Sequence, residues 1–423
     1  MNRQSRPRLL LPPPPAPRIG PRPLPLHLLT HLATLWGSLS VLPLWKKGSL
    51  SWKPHLAEPA SRLKASLDAA GPDAFARFEH ALTAEAGRRH AAFLNGIESY
   101  RHHPYRRALP PPPEAWRRGS TRLLDYRTDA GADPAVPVLV IPSLVNRAYI
   151  LDLTERRSLM RYFAARGLAP FLVDWDVPGP DERDFTLTDY VLDRLEPMLE
   201  RVAALCGRPP VLVGYCMGGL LALPLAQRRP DSVAGLALLA TPFDFAAGRA
   251  AVAPLLLALE PVLGAAIDRF GCLPVDMLQA LFAALDPGLA ARKFTAFAHL
   301  KPSSARARDF VALEDWANDG VPLAAAVARE CLFDWYGTNA PARGAWQIDS
   351  RPVLPEEVRG PTLAVIPGHD RIVPAESALV LAERIAGARV KVVAGGHVGL
   401  LTGPRARTDV LAPLVRWIRR RYP

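Results

Sequence analysis

Short runs of apolar residues, separated by longer stretches of helical periodicity, dominate the chain after about residue 120. Continuous apolar runs of this length are typical of strands buried on both faces. The strands that they predict are residues 123–126, 136–141, 171–173, 211–213, 236–239, 363–366 and 390–393. Helical stretches separate most of these runs, as parallel βαβ units require. We therefore predict an α/β fold, with a mostly parallel sheet and helices on both faces.

The first 118 residues lack this alternation. Residues 1–25 are rich in proline and arginine, which predicts a disordered or polyproline arm. Residues 26–118 space their apolar positions at helical intervals, with a break at Gly71-Pro72, and end in a proline-rich linker. We expect a helical N-terminal region here and a catalytic domain over residues 119–423.

Residues 24–45 form an apolar stretch that is diluted by polar side chains such as His27 and His31. A membrane span needs about 20 consecutive apolar residues, so no transmembrane span is expected. We favour an interfacial helix or a strip that lies on the folded domain. A signal peptide is the alternative, but no small-residue cleavage site follows Trp45.

The alternation of strands and helices is interrupted between about residues 245 and 359, where helical patterns replace it. An insertion between two core strands would lie over their carboxyl ends, where open α/β sheets bind ligands. We expect a helical cap over the site. The alternative is a helical excursion without a gating role.

The candidate nucleophile is Cys216, in the sequence Gly-Tyr-Cys-Met-Gly between a predicted strand and an apolar helix. This has the layout of a nucleophile elbow, G-x-S-x-G, with sulfur in place of the serine oxygen. The glycines remove side chains that would clash in so tight a turn. The alternatives are a buried small residue or a phosphate-binding loop, but neither G-x-G-x-x-G nor a P-loop lysine is present.

A cysteine attacks as its thiolate and needs a base, which in turn needs an orienting group. Asp370 follows the strand 363–366 and His397 follows the strand 390–393, in the order that an elbow nucleophile requires. His397 would accept the thiol proton, and Asp370 would hold its imidazole. His369 is the other histidine after residue 300, and we rank it lower.

Two backbone sites are expected to stabilise an oxyanion. The Met217 N–H lies at a helix start, and the loop after residue 141 offers the N–H groups of Ser143 and Leu144. Pro142 has no N–H and is excluded.

The net charge of +12 comes mostly from arginine and favours polyanions, anionic surfaces or coenzyme A phosphates. A genome rich in guanine and cytosine would give the same bias. No recognisable nucleic-acid module is present, so no nucleic-acid partner is expected. The four cysteines show no metal-ligand spacing and no C-x-x-C, so we expect no metal, no cofactor and a cytoplasmic location.

Sulfur at the elbow favours acyl transfer, because a thiolate exchanges readily with a thioester of similar energy. Several segments then resemble the polyhydroxyalkanoate synthase family. Gly-Tyr-Cys-Met-Gly-Gly is similar to its lipase-like box, and residues 142–153 to its segment ending Asn-Lys-x-Tyr-Ile-Leu-Asp-Leu. Residues 171–178 and 238–245 resemble two further family segments, and Asp370 and His397 occupy the acid and base positions.

The resemblance implies an α/β-hydrolase fold, a triad of Cys216, His397 and Asp370, and polymerisation of 3-hydroxyacyl groups from coenzyme A thioesters. It also implies a polyester granule surface as partner, with a homodimer or a small second subunit. The chain departs from the family at Arg371, where a histidine is usual, and the N-terminal 118 residues do not match clearly.

Two alternatives to a synthase stay open. One is a hydrolase with the same triad, either an intracellular polyhydroxyalkanoate depolymerase or a thioesterase. The other is a non-catalytic protein of a granule or membrane surface that kept the fold.

Overall fold

The structure is a computed structural model of the chain and describes residues 17–128, 136–248 and 252–421. Its main feature is an eight-stranded sheet. The strands are β1 (Glu114–Arg118), β2 (Thr121–Asp125), β3 (Val136–Ile141), β4 (Leu168–Asp174), β5 (Val211–Tyr215), β6 (Gly235–Leu239), β7 (Thr362–Pro367) and β8 (Arg389–Val393).

The strands lie in the order β1-β2-β4-β3-β5-β6-β7-β8, so the chain crosses over between β3 and β4. Every pair from β4 to β8 is parallel, whereas β1 pairs antiparallel with β2 and β2 antiparallel with β4. All seven strands predicted from apolar runs are present, and the predicted α/β class is confirmed.

Strand β1 was not predicted. Its residues, Glu114–Arg118, are mostly exposed and charged, because it is an edge strand. The sheet therefore begins at Glu114, before Gly119, which was expected to open the catalytic domain.

The central strands β3 and β5 are buried along their whole length. Successive side chains of a strand point to opposite faces, so both faces of the sheet centre are covered. Leu139 and Leu212 belong to one large core cluster together with residues of the helices that follow β4 and β5. Burial on both faces explains why these strands have no polar positions.

The helices fall into four groups along the chain. Those before the sheet are α1 (Leu24–Ser40), α2 (Leu42–Lys46), α3 (Pro54–Ala69) and α4 (Ala74–Arg101). Those between β3 and β6 are α5 (Leu159–Ala164), α6 (Leu187–Asp189), α7 (Glu196–Cys206) and α8 (Met217–Arg228).

Between β6 and β7 lie α9 (Val252–Phe270), α10 (Val275–Leu285), α11 (Leu289–Ala298), α12 (Ala305–Asn318) and α13 (Ala325–Arg329). A π-helical segment, Glu330–Gly337, continues α13. The last group is α14 (Ala375–Arg384), α15 (Gly399–Thr402) and α16 (Ala412–Arg419). The expected helical insertion between two core strands is therefore present; its gating role remains a prediction.

The chain forms two compact units. The first contains Met1–Tyr105 and Ala290–Val311, and the second contains Arg106–Leu289 and Ala312–Pro423. Residues 290–311, which were expected to belong to the cap, thus pack with the N-terminal helices. At Gly96 the approach is so close that an added Cβ would lie 2.0 Å from the Phe294 carbonyl oxygen.

The predicted N-terminal arm is only partly described, because residues 1–16 lie outside the described residues. Residues 17–23 form no helix or strand, and α1 begins at Leu24. The disordered or polyproline arm stays a prediction. The Arg18 guanidinium donates to the backbone carbonyls of Tyr100, His103 and Tyr105, which lie around the C-terminal end of α4.

Helices α1 and α2 occupy most of the apolar stretch at residues 24–45. The described stretch Leu24–Lys46 is long and apolar enough to cross a membrane, by length and composition alone, and it lies near the N-terminus. Only 6% of its most apolar window is buried. The absence of a membrane span remains a prediction.

Candidate active site

Cys216 lies at the sharp turn that joins β5 to α8. Its backbone is strained, with φ of 53° and ψ of −126°. Strain of this kind is typical of functional sites and persists only where the surroundings impose it. The side chain is half-buried, at the carboxyl end of the central strand. The elbow predicted from the glycine pattern thus presents the Cys216 sulfur at the edge of the sheet.

Glycine is required at two elbow positions, because a side chain at either would overlap neighbouring backbone atoms. A Cβ on Gly214 would lie 2.4 Å from the Gly219 Cα, and a Cβ on Gly218 would lie 2.1 Å from the Ile141 carbonyl oxygen. The first contact lets β5 and α8 fold against each other. The second seats the start of α8 against the end of β3, which brings Met217 close to the loop after β3.

Asp370 and His397 are brought together as the sequence predicted. His397 Nδ1 lies 2.7 Å from Asp370 Oδ2. The other carboxylate oxygen of Asp370 accepts the backbone N–H groups of Ile372 and Val373 at 2.7 and 2.9 Å. The Asp370 side chain is fully buried, so these bonds fix its orientation and, through it, that of the imidazole.

His397 also interacts electrostatically with Cys216, which links all three predicted residues. Burial opposes protonation of His397, but the charge on Cys216 and the bonds to Asp370 and Cys216 together raise its pKa to about 10. At neutral pH the imidazole is therefore protonated. A protonated imidazole beside Cys216 would stabilise a thiolate, which is the nucleophilic form of cysteine.

Tyr215 is a site residue that the sequence analysis missed. Its hydroxyl donates to the His397 carbonyl oxygen at 3.3 Å, and its ring packs 5.2 Å from the imidazole. Burial raises the pKa of the phenol, so it stays a donor. The sequence around Tyr215 does not predict this role, because the contact depends on where the loop that carries His397 packs relative to β5.

The predicted oxyanion donors lie around the start of α8. Met217 is the first residue of that helix, and its N–H has no partner within the helix. Ser143 is half-buried and Leu144 is buried; the Ser143 hydroxyl accepts the Val145 N–H at 3.1 Å and shapes the loop. The function of these donors remains a prediction.

The two residues that flank Asp370 serve other purposes. The His369 backbone N–H donates to the Gly395 carbonyl at 3.0 Å, which joins the acid loop to the loop of the base. Arg371, where the family usually has histidine, forms an ion pair with Asp286 just past the end of α10. Arg371 therefore connects the acid loop to the inserted helices.

The segment that carried the strongest resemblance, residues 142–153, contains a fully buried carboxylate at Asp152. Arg107 and Arg161 donate to it, and the Tyr126 hydroxyl does so at 3.1 Å. This network links β2, the proline-rich linker and α5. Asp152 is thus a structural residue that fixes the stretch following β3.

Among residues 17–128, 136–248 and 252–421, no group of three or more His, Cys, Asp or Glu side chains could hold a metal ion.

Comparison with known proteins gives matches over most of the second unit. A family model described as alpha/beta hydrolase fold matches residues 136–404. The poly(3-hydroxyalkanoate) polymerase subunit PhaC of Haloferax mediterranei is 28% identical over 72% of this chain, which spans 63% of that relative. The subunit of the same name from Allochromatium vinosum is 27% identical, over 71% of this chain and 86% of the relative. These matches confirm the resemblance.

Among solved structures, the esterase Est816, described as an N-acyl homoserine lactone degrading enzyme, is similar at 19% identity. The likeness covers 71% of this chain and 99% of that one, with a TM-score of 0.44.

Proposed function

The chain belongs to the α/β-hydrolase family, and from that membership we propose that it is an acyltransferase of the polyhydroxyalkanoate synthase type. It would take 3-hydroxyacyl groups from coenzyme A thioesters and form an acyl-cysteine on Cys216. The observation that carries the proposal is a cysteine at the elbow that interacts with the His397–Asp370 pair, in a chain similar to poly(3-hydroxyalkanoate) polymerases.

In the first step, the Cys216 thiolate attacks the thioester carbonyl. The resulting oxyanion would accept from the Met217 N–H and from an N–H of Ser143 or Leu144. As the tetrahedral intermediate collapses, the carbon–sulfur bond to coenzyme A breaks, and the His397 imidazolium gives its proton to the departing sulfur. The products are an acyl-cysteine, free coenzyme A and a neutral imidazole.

In the second step, the neutral His397 takes the proton of an incoming 3-hydroxyl group, whose oxygen attacks the acyl-cysteine. An ester bond forms, and Cys216 leaves as its thiolate beside the restored imidazolium. Asp370 stabilises the imidazolium throughout and fixes its tautomer. The chemistry needs no cofactor besides the thioester substrate.

Water could replace the hydroxyl in this second step, and the protein would then be a thioesterase or a depolymerase. The triad serves both reactions equally. The two relatives named above, which match 71–72% of the chain, carry polymerase names, and this similarity favours transfer to a hydroxyl.

We further propose a polyester granule surface as a partner, with the protein in the cytoplasm or at that surface. Exposed apolar side chains on α1, including Leu29 and Trp36, fit contact with an apolar material. A homodimer or a small second subunit is part of the same proposal, as is the absence of a nucleic-acid partner.

The test is incubation of the purified chain with 3-hydroxybutyryl-coenzyme A. Release of free thiol together with insoluble polyester supports a synthase, and release of free 3-hydroxybutyrate supports a hydrolase. Mass spectrometry of the Cys216 peptide should detect an acyl adduct, absent in Cys216→Ala. Full thiol release by Cys216→Ala would contradict both assignments, and a chain that forms no adduct is not an enzyme of this type.

A further inference from the structure

A short segment of the insertion, residues 316–321, lies along the loop after β3 that carries Ser143 and Leu144. We call residues 316–321 the strut. The Val321 N–H donates to the Val145 carbonyl at 3.2 Å, and Asn146 forms an antiparallel bridge with Gly320. Backbone pairing therefore fixes the end of the strut to the loop directly after Leu144.

The other end of the strut is held by a side chain. Trp316 is only 7% exposed, and its indole N–H donates to the Arg147 carbonyl at 2.8 Å. The Arg147 guanidinium in turn lies 3.4 Å from Asp319 and forms an ion pair with Asp176 beyond the end of β4. The loop is thus held on both sides of Asn146, within a span of three residues.

Helix α10 supports the strut from behind. Gln279 donates to the Ala317 carbonyl at 2.9 Å, and a Cβ on Gly320 would lie 2.6 Å from a Val275 methyl carbon. There is no room at Gly320 for a side chain, because the strut passes between the loop and α10. The strut therefore has little freedom to move away from the loop.

We propose that Trp316 is a positioning residue, which holds the loop after β3 so that its Ser143 and Leu144 N–H groups face the acyl oxygen on Cys216. The proposal rests on the proposed acyl-cysteine chemistry. In this proposal the insertion helps to position the oxyanion donors, in addition to any role as a cap over the site. Trp316 itself touches neither the substrate nor Cys216.

Loss of the Trp316 indole N–H would weaken one kind of state, in which the acyl oxygen carries negative charge. The partly buried Arg147 carbonyl would lose its partner, and the loop would relax toward another donor. A shift of about 1 Å in catalytic groups can cost about 100-fold in rate. Only states with charge on the acyl oxygen would be weakened, since the contacts among Cys216, His397 and Asp370 involve other loops.

The matched experiment uses Trp316→Phe and Trp346→Phe. Trp346 is likewise buried and donates its indole N–H at 2.8 Å, but to the Glu330 carboxylate. Three quantities are measured for each: kcat and KM for thiol release from 3-hydroxybutyryl-coenzyme A, the inhibition constant of butyraldehyde, and the rate of Cys216 alkylation by iodoacetamide. Butyraldehyde forms a tetrahedral hemithioacetal with an oxyanion, whereas alkylation forms none.

For Trp316→Phe we expect kcat to fall about tenfold or more, with a small change in KM, and butyraldehyde to bind about tenfold more weakly. Alkylation should keep its parent rate, because the thiolate and imidazolium are undisturbed. Trp346→Phe should keep the parent values of all three. Equal butyraldehyde affinity in Trp316→Phe and the parent would overturn the proposal, and so would a parallel loss of alkylation, since that indicates general distortion.

Gly320→Ala provides a second variant should Trp316→Phe not fold. Its added methyl group would push the strut off Val275, and the same pattern of readouts is expected; unchanged butyraldehyde affinity would again overturn the proposal. Cys216→Ala distinguishes failure of the proposed acyl-cysteine function from failure of the positioning role of Trp316. If it still binds butyraldehyde with parent affinity, the acyl-cysteine function fails; if it loses that affinity and Trp316→Phe does not, the positioning role alone fails.

Discussion

The charge state of His397 is the property on which the proposed chemistry depends, and Cys216→Ala tests it. In the parent protein the pKa of His397 is raised from 6.5 to about 10. That difference favours the imidazolium by about 5 kcal/mol, at about 1.4 kcal/mol per pH unit. The protonated form should therefore predominate at pH 7.5.

Removing the Cys216 sulfur should lower this pKa strongly. Burial is the largest single influence on the pKa of His397 and acts against protonation, while the electrostatic interaction with Cys216 is the largest influence that favours it. Without the thiolate, only Asp370 opposes the effect of burial. We expect the pKa of His397 in Cys216→Ala to fall below about 8, so that the imidazole is partly or wholly neutral at pH 7.5.

The measurement is a titration of the histidine ring nitrogens by NMR on 15N-histidine-labelled protein. The signal of His397 is identified by its loss in His397→Gln, with His369→Gln as the control for the neighbouring position. The parent should show an imidazolium up to at least pH 9. A parent midpoint near 6.5, unchanged in Cys216→Ala, would show that no thiolate–imidazolium pair exists and would refute the reasoning about how Cys216 is activated.

Three further predictions concern stability and the elbow. Burial raises the pKa of Glu330 from 4.5 to about 7, so the protein should lose stability as the pH rises across that interval. Glu330→Gln should therefore raise the free energy of unfolding by about 3 kcal/mol at pH 8 and leave it unchanged at pH 4.5. Denaturation midpoints at the two pH values measure this. An equal effect of Glu330→Gln on the midpoint at pH 4.5 and at pH 8 would contradict this prediction. Asp152→Asn leaves two partly buried arginines without their counter-charge and should cost about 2–3 kcal/mol in urea denaturation, whereas Asp68→Asn, on an exposed ion pair, should cost less than about 0.5 kcal/mol. Equal costs would argue against a structural role for Asp152. Gly218→Ala should abolish acylation, because its Cβ would overlap the carbonyl at the end of β3. Gly87→Ala, with open space around it, should keep parent activity. Acyl-adduct formation measures both variants, and retained acylation in Gly218→Ala would mean that the elbow tolerates displacement.

The central strands and the three triad residues could be predicted because each leaves a local mark in the sequence. Strands β3 and β5 are buried on both faces and contain no polar residue to obscure the apolar run. Cys216 stands between glycines whose contacts leave no space for a Cβ. Asp370 and His397 follow the last two strands directly, so the parallel sheet brings them to the same edge as Cys216.

Features that depend on distant parts of the chain could not be predicted. Helix α11 has an ordinary apolar face, and nothing in its pattern indicates that Phe294 packs with Tyr100 of α4 rather than with the cap. The proline-rich composition around Arg18 predicts a disordered or polyproline arm, and composition does not reveal that three carbonyls accept from one guanidinium. Strand β1 carries the charges of an edge strand, and it was missed for that reason.

The site geometry also predicts which properties should change together. In the proposed mechanism, the neutral His397 formed on acylation would be the base for water and for a 3-hydroxyl group alike, and both attacks would generate an oxyanion at the same place. A variant of the triad or of Trp316 should therefore slow hydrolysis and transfer by the same factor and leave their ratio unchanged. Only changes that alter which nucleophile reaches the acyl-cysteine can change that ratio. The choice between polymer and free acid should therefore depend on residues outside the triad that control whether water or a hydroxyl group reaches Cys216.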